Sequence, residues 1–212
     1  MEKLMANHFG KYSLRLGIHV DDREPKELFK WLLASILLGA PISSETAERT
    51  YHELMDSGIN SPQRVLDAEW EGLVAELDAG GYMRYDYKTA DKLLEVSRHL
   101  FRDYAGDLNR LHDVAEDGMD LIKRIKALAK GVGDVAANIF LRELRGIWPK
   151  ATPGISKYAL NAARGLGLVK EGEDPAWALM KAWGKGMPGK DFRDFEAALV
   201  SRGIEMRRNK AA

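Results

Sequence analysis

Apolar residues in this chain recur every three or four positions, and nowhere do they alternate with polar ones over the length of a strand. From Lys26 to Leu38 the series Leu28, Phe29, Leu32, Leu33, Ile36 and Leu37 predicts a helix facing a core. Asp21-Asp-Arg-Glu-Pro25 opens it, since proline suits a first helical turn and acids suit the positive end of the dipole. Gly39-Ala-Pro41 stops it. Ser43 or Ser44 is placed to cap a helix running through Ala47, Tyr51 and Leu54 to Gly58. Ser61-Pro62 opens a short helix to about Leu66, and another spans Glu69 to Leu77. After a Gly80-Gly81 turn, the pattern from Tyr85 to Tyr104 predicts a long amphipathic helix burying Ala90, Leu93, Leu94, Leu100 and Phe101, with Ser97 tolerated in the stripe and Val96 at its margin. Short helical pieces follow through Leu111 and Val114. A helix from about Ser156 to Leu166 ends at Gly167. Asp174-Pro175 opens one with Trp177, Leu179, Met180 and Trp183, both tryptophans reading as core, and Asp191 opens the last, with Phe192, Phe195, Leu199 and Val200. The stretch before Val20 has no clear period, and Arg207-Arg-Asn-Lys-Ala-Ala is a polar tail. About ten helices without an internal repeat predict an all-α fold.

One stretch stands apart. From Ile122 to Arg142 the pattern is an apolar helix, a turn with Gly131 and Gly133 on either side of Val132, and a second apolar helix. The glycines remove Cβ on both sides of an apolar residue, so the backbone can turn sharply and approach another molecule closely. The N–H groups opening the second helix are unpaired and sit at the positive end of its dipole, an arrangement that favours phosphate. Between Lys123 and Arg164 nine basic residues stand against Asp134 and Glu143, a local charge of +7 in a chain whose net charge is zero. Lys130, Gly131, Val132, Gly133, Asp134, Arg142, Arg145 and Lys150 are therefore the candidate phosphate contacts, which the family resemblance described below makes candidate DNA contacts. A glycine turn between helices is also an ordinary helical hairpin, and the motif alone does not separate the two.

Composition narrows the field. With 212 residues the chain is long enough for one domain or two small lobes, and 45% hydrophobic with 30% charged residues is a globular balance. No apolar run is long enough to cross a bilayer, and the first residues lack the basic and apolar blocks of a secretory signal, so an intracellular protein, cytoplasmic or nucleoid-associated, with no membrane partner is expected. The absence of cysteine rules out disulfides and a cysteine-ligated iron–sulfur cluster, and no cofactor is expected. His8, His19, His52, His99 and His112 lack zinc-site spacing, so no metal is expected either. Tyr82, Tyr85 and Tyr87 with Arg84 and Lys88 suit either a nucleotide clamp or packing at the start of a helix.

The hairpin resembles the helix-hairpin-helix element of the DNA glycosylase superfamily typified by endonuclease III. Three further segments resemble the same family in the same order. Leu37-Leu-Gly-Ala-Pro-Ile-Ser-Ser-Glu-Thr-Ala47 looks like its early Leu-Leu-Ser-Ala-Gln-x-Thr-Asp segment. Gly80-Gly-Tyr-Met-Arg-Tyr-Asp-Tyr-Lys-Thr-Ala90 takes the place of its Gly-x-x-x-x-Lys-Ala segment, and Ile155 to Leu168 that of the segment carrying the family's Asp. The resemblance covers roughly residues 26 to 170. It implies a two-lobed helix-hairpin-helix bundle, with one lobe over about 40–135 and the other over about 1–39 plus 136–212, and the basic hairpin at the cleft.

The same resemblance implies lost chemistry. Ser156 stands where the family has the Asp that stabilises positive charge on the deoxyribose. Serine can cap a helix in its place but supplies no such charge. Val135 stands where bifunctional members have the lysine that attacks the sugar, and valine is no nucleophile. The family's gap-filling Gln matches Pro41, or Ala40 if the segment is shifted by one. Lys157, beside Ser156, is the candidate replacement amine, although a basic residue near DNA is more commonly a phosphate contact. The expected function is a DNA-binding protein of the base-excision-repair glycosylase fold, acting on damaged or distorted duplex without conventional glycosylase or abasic-lyase chemistry. The alternatives are an active glycosylase or abasic-site lyase using a residue such as Lys157, and a fold reused for protein contacts.

Overall fold

A computed structural model describes residues 2–8, 10–187 and 189–211. Among them twelve α-helices follow one another: α1 (Glu2–Asn7), α2 (Tyr12–Arg15), α3 (Pro25–Leu38), α4 (Ser44–Asp56), α5 (Pro62–Ala79), α6 (Asp86–Tyr104), α7 (Leu108–Val114), α8 (Gly118–Ala127), α9 (Asp134–Arg142), α10 (Lys157–Gly165), α11 (Pro175–Gly186) and α12 (Phe192–Ala211). A 3-10 turn covers Val20–Asp22. The protein is all-α, with no strand among the described residues and a single isolated bridge between Arg145 and Trp148. The helix starts follow the capping residues. Ser43 accepts from the Thr46 N–H, Ser61 from Arg64, Ser156 from Ala159 and Asp174 from Trp177. Pro62 to Ala79 is one element broken at Glu69, whose φ of 57° and ψ of −174° leave the helical region. The N-terminal stretch that shows no period holds two short helices, and α12 carries the polar tail on as helix as far as Ala211, with Ala212 outside the described residues.

The chain divides into two compact units, Ile18–Pro153 and Met1–Gly17 with Gly154–Ala212. These boundaries differ from the 39/40 and 135/136 breaks expected from the resemblance, and the reason is α3. Nine of its fourteen residues are buried, and it packs on both α4 and α9, so the helix belongs with the larger unit. Trp31, outside the apolar stripe, is fully buried, and its indole N–H donates to the Phe140 carbonyl at 3.0 Å. Such a helix is enclosed all round, and its sequence shows correspondingly little polar face. On α6, Val96 is buried and not marginal, while Phe101 is 39% exposed; the ring covers Gly106 in the turn that follows.

Close contacts of backbone set the helix spacing within each unit. A methyl at Gly80 would overlap Thr50 of α4, and one at Gly39 would lie 3.0 Å from the Ala136 side chain of α9. In the smaller unit a methyl at Gly203 would overlap the Tyr158 carbonyl, so α12 lies directly on α10 over Ala159, Ala162 and Ala163. Trp183 stacks on Phe195 at 4.9 Å within this core. Trp177 and Met180 are not core: they are 57% and 59% exposed, and Lys181 sits over the Trp177 ring. Their positions on α11 fall outside the strip that carries Ala178, Leu179 and Trp183.

An ion cluster fixes the N-terminal segment to α12. Asp191 accepts from Lys11 Nζ at 2.8 Å and from Arg193 at 2.6 and 3.0 Å, and the Lys11 backbone N–H donates to Asp194. Burial raises the Asp191 pKa, but the hydrogen bonds from Arg193 and Lys11 outweigh it and hold the carboxyl well below the usual carboxylate range. A depressed folded pKa stabilises the native state above the unfolded carboxylate value of about 4 and loses that contribution as the pH falls toward the folded value. Asp191→Asn, which leaves Lys11 and Arg193 partly unpaired, is expected to cost about 2–3 kcal/mol. Denaturant titration of both proteins from pH 7 down to pH 2 is the check: the difference should shrink in acid, and a difference constant with pH would exclude the carboxylate as its source.

Candidate nucleic-acid interface

The hairpin is built as a rigid object within the larger unit. α8 leads to Gly131, whose φ of +93° is accessible to glycine and rarely to L side chains. Val132 turns inward, 3% exposed, and its N–H donates to the Ala129 carbonyl. Gly133 precedes α9 with φ −98° and ψ −178°, so its role is not an unusual torsion. Its role is space. A Cβ there would have nothing within 4 Å, and no side chain caps the first N–H groups of α9. Two bonds hold the turn from the sides: Lys126 Nζ donates to Asp134 at 2.6 Å, and the Lys130 N–H donates to Glu95 of α6 at 3.1 Å.

Beside this turn lies a pocket of about 370 Å³. The α3–α9 packing brings Gly39, Ala40 and Pro41 to one wall, and α9 supplies Asp134, Val135 and Ala136 to another. α6 closes it with Tyr85, Lys88, Thr89 and Lys92. Val135 is 60% exposed at its mouth. Two positions singled out by the resemblance, Pro41 and Val135, thus meet the hairpin in one place, although they lie more than ninety residues apart in sequence.

Much of the basic stretch points elsewhere. Arg142 is buried, 4% exposed beside Glu143, because it falls on the inner face of α9. Arg145 donates to the Pro153 carbonyl, and Lys150 Nζ donates to the carbonyls of His112 and Asp113 at 3.0 Å each. Arg145 and Lys150 are thus structural ties that hold the chain after α9, and Arg142 lies in the interior. Arg124 is held by Asp120 at 2.6 Å, whereas Lys123, Lys126 and Lys130 are exposed on the hairpin. Of the tyrosines, Tyr82 is fully buried and donates to the Leu37 carbonyl at 2.8 Å, which makes it scaffold; burial also raises its pKa. Tyr87 rests on Trp70, ring centroids 5.0 Å apart. Tyr85 remains at the pocket.

Ser156 caps α10, and Lys157, its first residue, is exposed; both belong to the smaller unit. Among the described residues no group of three His, Cys, Asp or Glu could hold a metal ion, and no helix is long and apolar enough to cross a membrane. His112 stacks on Trp148 at 4.9 Å, and burial pushes its pKa down. Lys92 is the pocket residue that sequence reasoning missed. It lies three positions after Thr89 and four before Val96, both buried, so helical spacing alone marks it as a lysine at the edge of the buried strip. Burial lowers its pKa. Comparison of the chain with family models, curated proteins and solved structures finds no match.

Proposed function

We propose that this chain binds duplex DNA through the Gly131–Gly133 turn, in the manner of the helix-hairpin-helix glycosylases it resembles, and lacks their conventional base-releasing chemistry. The observation that carries this reading is the open, uncapped start of α9: nothing stands in front of Gly133, and Lys88 and Lys92 flank the same pocket. Unpaired N–H groups at the positive end of a helix favour a phosphate oxygen, and nearby lysines add sequence-independent attraction. Damaged or distorted duplex is the favoured target, because an unstacked nucleotide is easier to extrude toward a pocket than a paired one.

Binding should weaken as salt rises, with a log–log slope of about −2 to −3 for two or three phosphates neutralised. Gly133→Asp should lower affinity by about tenfold or more, since a carboxylate would occupy the phosphate position and repel it. The open space around Gly133 lets the variant keep its fold, which circular dichroism checks alongside fluorescence anisotropy. Equal affinity of the two proteins, or affinity independent of salt, would remove the hairpin from the function.

Base release is a separate matter. Ser156 and Val135 cannot supply the charge and the amine that the family uses, and losing one such stabilising group costs on the order of 10²–10³ in rate. Duplexes containing uracil, an oxidised pyrimidine or 8-oxoguanine should therefore release no base above background. Robust release of any of the three would show that another residue set performs the reaction.

A further inference from the structure

Every tyrosine and tryptophan that reaches solvent, two excepted, is partnered by a basic side chain of this chain. Arg15 lies over the Tyr12 ring, Arg84 over Tyr85, Arg207 over Tyr158 and Lys181 over Trp177, and Tyr104 accepts a hydrogen bond from Arg124. The exceptions are Trp70 and Tyr87, which among the described residues have no cation over either ring. They pack on each other, centroids 5.0 Å and planes 47° apart, and Tyr87 is still 58% exposed. The shelf is held in place, because the Trp70 indole N–H donates to Asp91 Oδ1 at 3.0 Å. The second Asp91 oxygen accepts no hydrogen bond, and the carboxylate has no ion pair, among the described residues. From Glu69 to Asp91 six acids stand against Arg84 and Lys88, a local charge of −4 in a chain with no net charge. Both of those bases are used elsewhere, Arg84 over Tyr85 and Lys88 at the hairpin pocket. Asp78 and Asp86 lie within hydrogen-bonding reach of each other, and desolvation together with that neighbour raises the Asp78 pKa.

We propose that the Trp70–Tyr87 shelf docks an arginine-bearing basic segment of a partner protein, with the guanidinium stacked on Tyr87 and hydrogen-bonded to Asp91. Tyr87 and Asp91 are four residues apart on α6, so ring and carboxylate share one face of the helix. A cation over an exposed aromatic ring is attracted by its π face, and a planar guanidinium can stack there while its N–H groups reach a carboxylate beside the ring. A lysine ammonium, a point charge, cannot do both in that geometry. The surrounding acids choose the class of partner, since they attract a basic peptide and repel the phosphates of nucleic acid or of an anionic membrane. Lys88 and Lys92 lie on the neighbouring strip of α6 and line the hairpin pocket, so the shelf is a separate site. Its role does not depend on DNA binding by the hairpin.

Titration of the labelled full chain with the peptide acetyl-Gly-Arg-Gly-Arg-Gly-amide, followed by NMR, tests this. The Trp70 indole N–H and the Tyr87 and Asp91 amides should shift together and saturate, at an affinity that weakens with salt. Tyr87→Ala should weaken binding by about two- to fivefold, the size of a cation–π contact at an exposed site, and Tyr87→Phe should restore it. Asp91→Asn keeps an acceptor for the Trp70 indole and removes the charge, so it should weaken binding while circular dichroism shows the fold retained. The same peptide with citrulline in place of arginine should leave the three signals unmoved. Absence of any shift at millimolar arginine peptide overturns the proposal, as does Tyr87→Ala binding as tightly as the wild type, which would reduce the shelf to a diffuse acidic surface. Equal affinity for the lysine version of the peptide overturns the choice of arginine. Shifts of the same three signals with protein concentration alone would make a second copy of this chain the occupant and overturn the assignment to a partner protein.

Discussion

The enclosure of α3 governs the larger unit. Its buried residues cover nearly the whole circumference, and the Trp31 indole N–H that donates to the Phe140 carbonyl ties it to α9 across more than a hundred residues of sequence. An unsatisfied indole donor in such a core would cost about 1–3 kcal/mol, so the bond fixes orientation as well as energy. From that tie the rest follows. The C-terminal end of α3 lies against Ala136, where even a methyl at Gly39 would be a tight 3.0 Å contact, and the chain that leaves α3 at Ala40 and Pro41 runs beside the hairpin. Tyr82, donating to the Leu37 carbonyl, brings the start of α6 to the same point. The pocket is the space left where these three elements converge.

Local signals were easy to read. Proline and cap residues mark the starts of α3, α4, α5, α10 and α11, and glycine marks the hairpin turn, because each acts within a few residues of the backbone it shapes. Tertiary choices were less so. Trp31 departs from the stripe because α3 is surrounded, while Trp177 and Met180 are exposed because α11 meets its core through one narrow strip. Arg142 illustrates the same limit for charge. Its sequence neighbourhood suggests a basic surface, but a helix nine residues long rotates some of its positions inward whatever their chemistry, and the guanidinium goes to the interior beside Glu143. The pocket lysine was hidden for the converse reason: a charged residue beside an amphipathic stripe looks solvated until the turn that covers it is in place.

What charge remains near the hairpin is modest, exposed Lys123 and Lys126 on α8, Lys130 in the turn and Lys88 on α6 beside half-buried Lys92, in a protein with no net charge. Attraction of that size favours a site in which fixed backbone N–H groups position a phosphate and the lysines add strength, not a broad electrostatic coat. The rigid parts of such a site, Gly131 held at its positive φ, Val132 anchored in the core and Asp134 pinned by Lys126, are all in place before any ligand arrives.

The backbone amides of Gly131, Gly133, Asp134 and Val135 are where the proposed DNA binding would register. Titrating the labelled protein with a short duplex carrying a single abasic site, and following amide shifts by NMR, reads those positions one by one. DNA held by the hairpin moves these four amides together, at a common apparent affinity that weakens with added salt. Shifts confined to other parts of the chain, with these four amides unmoved at saturation, would contradict DNA binding through the hairpin.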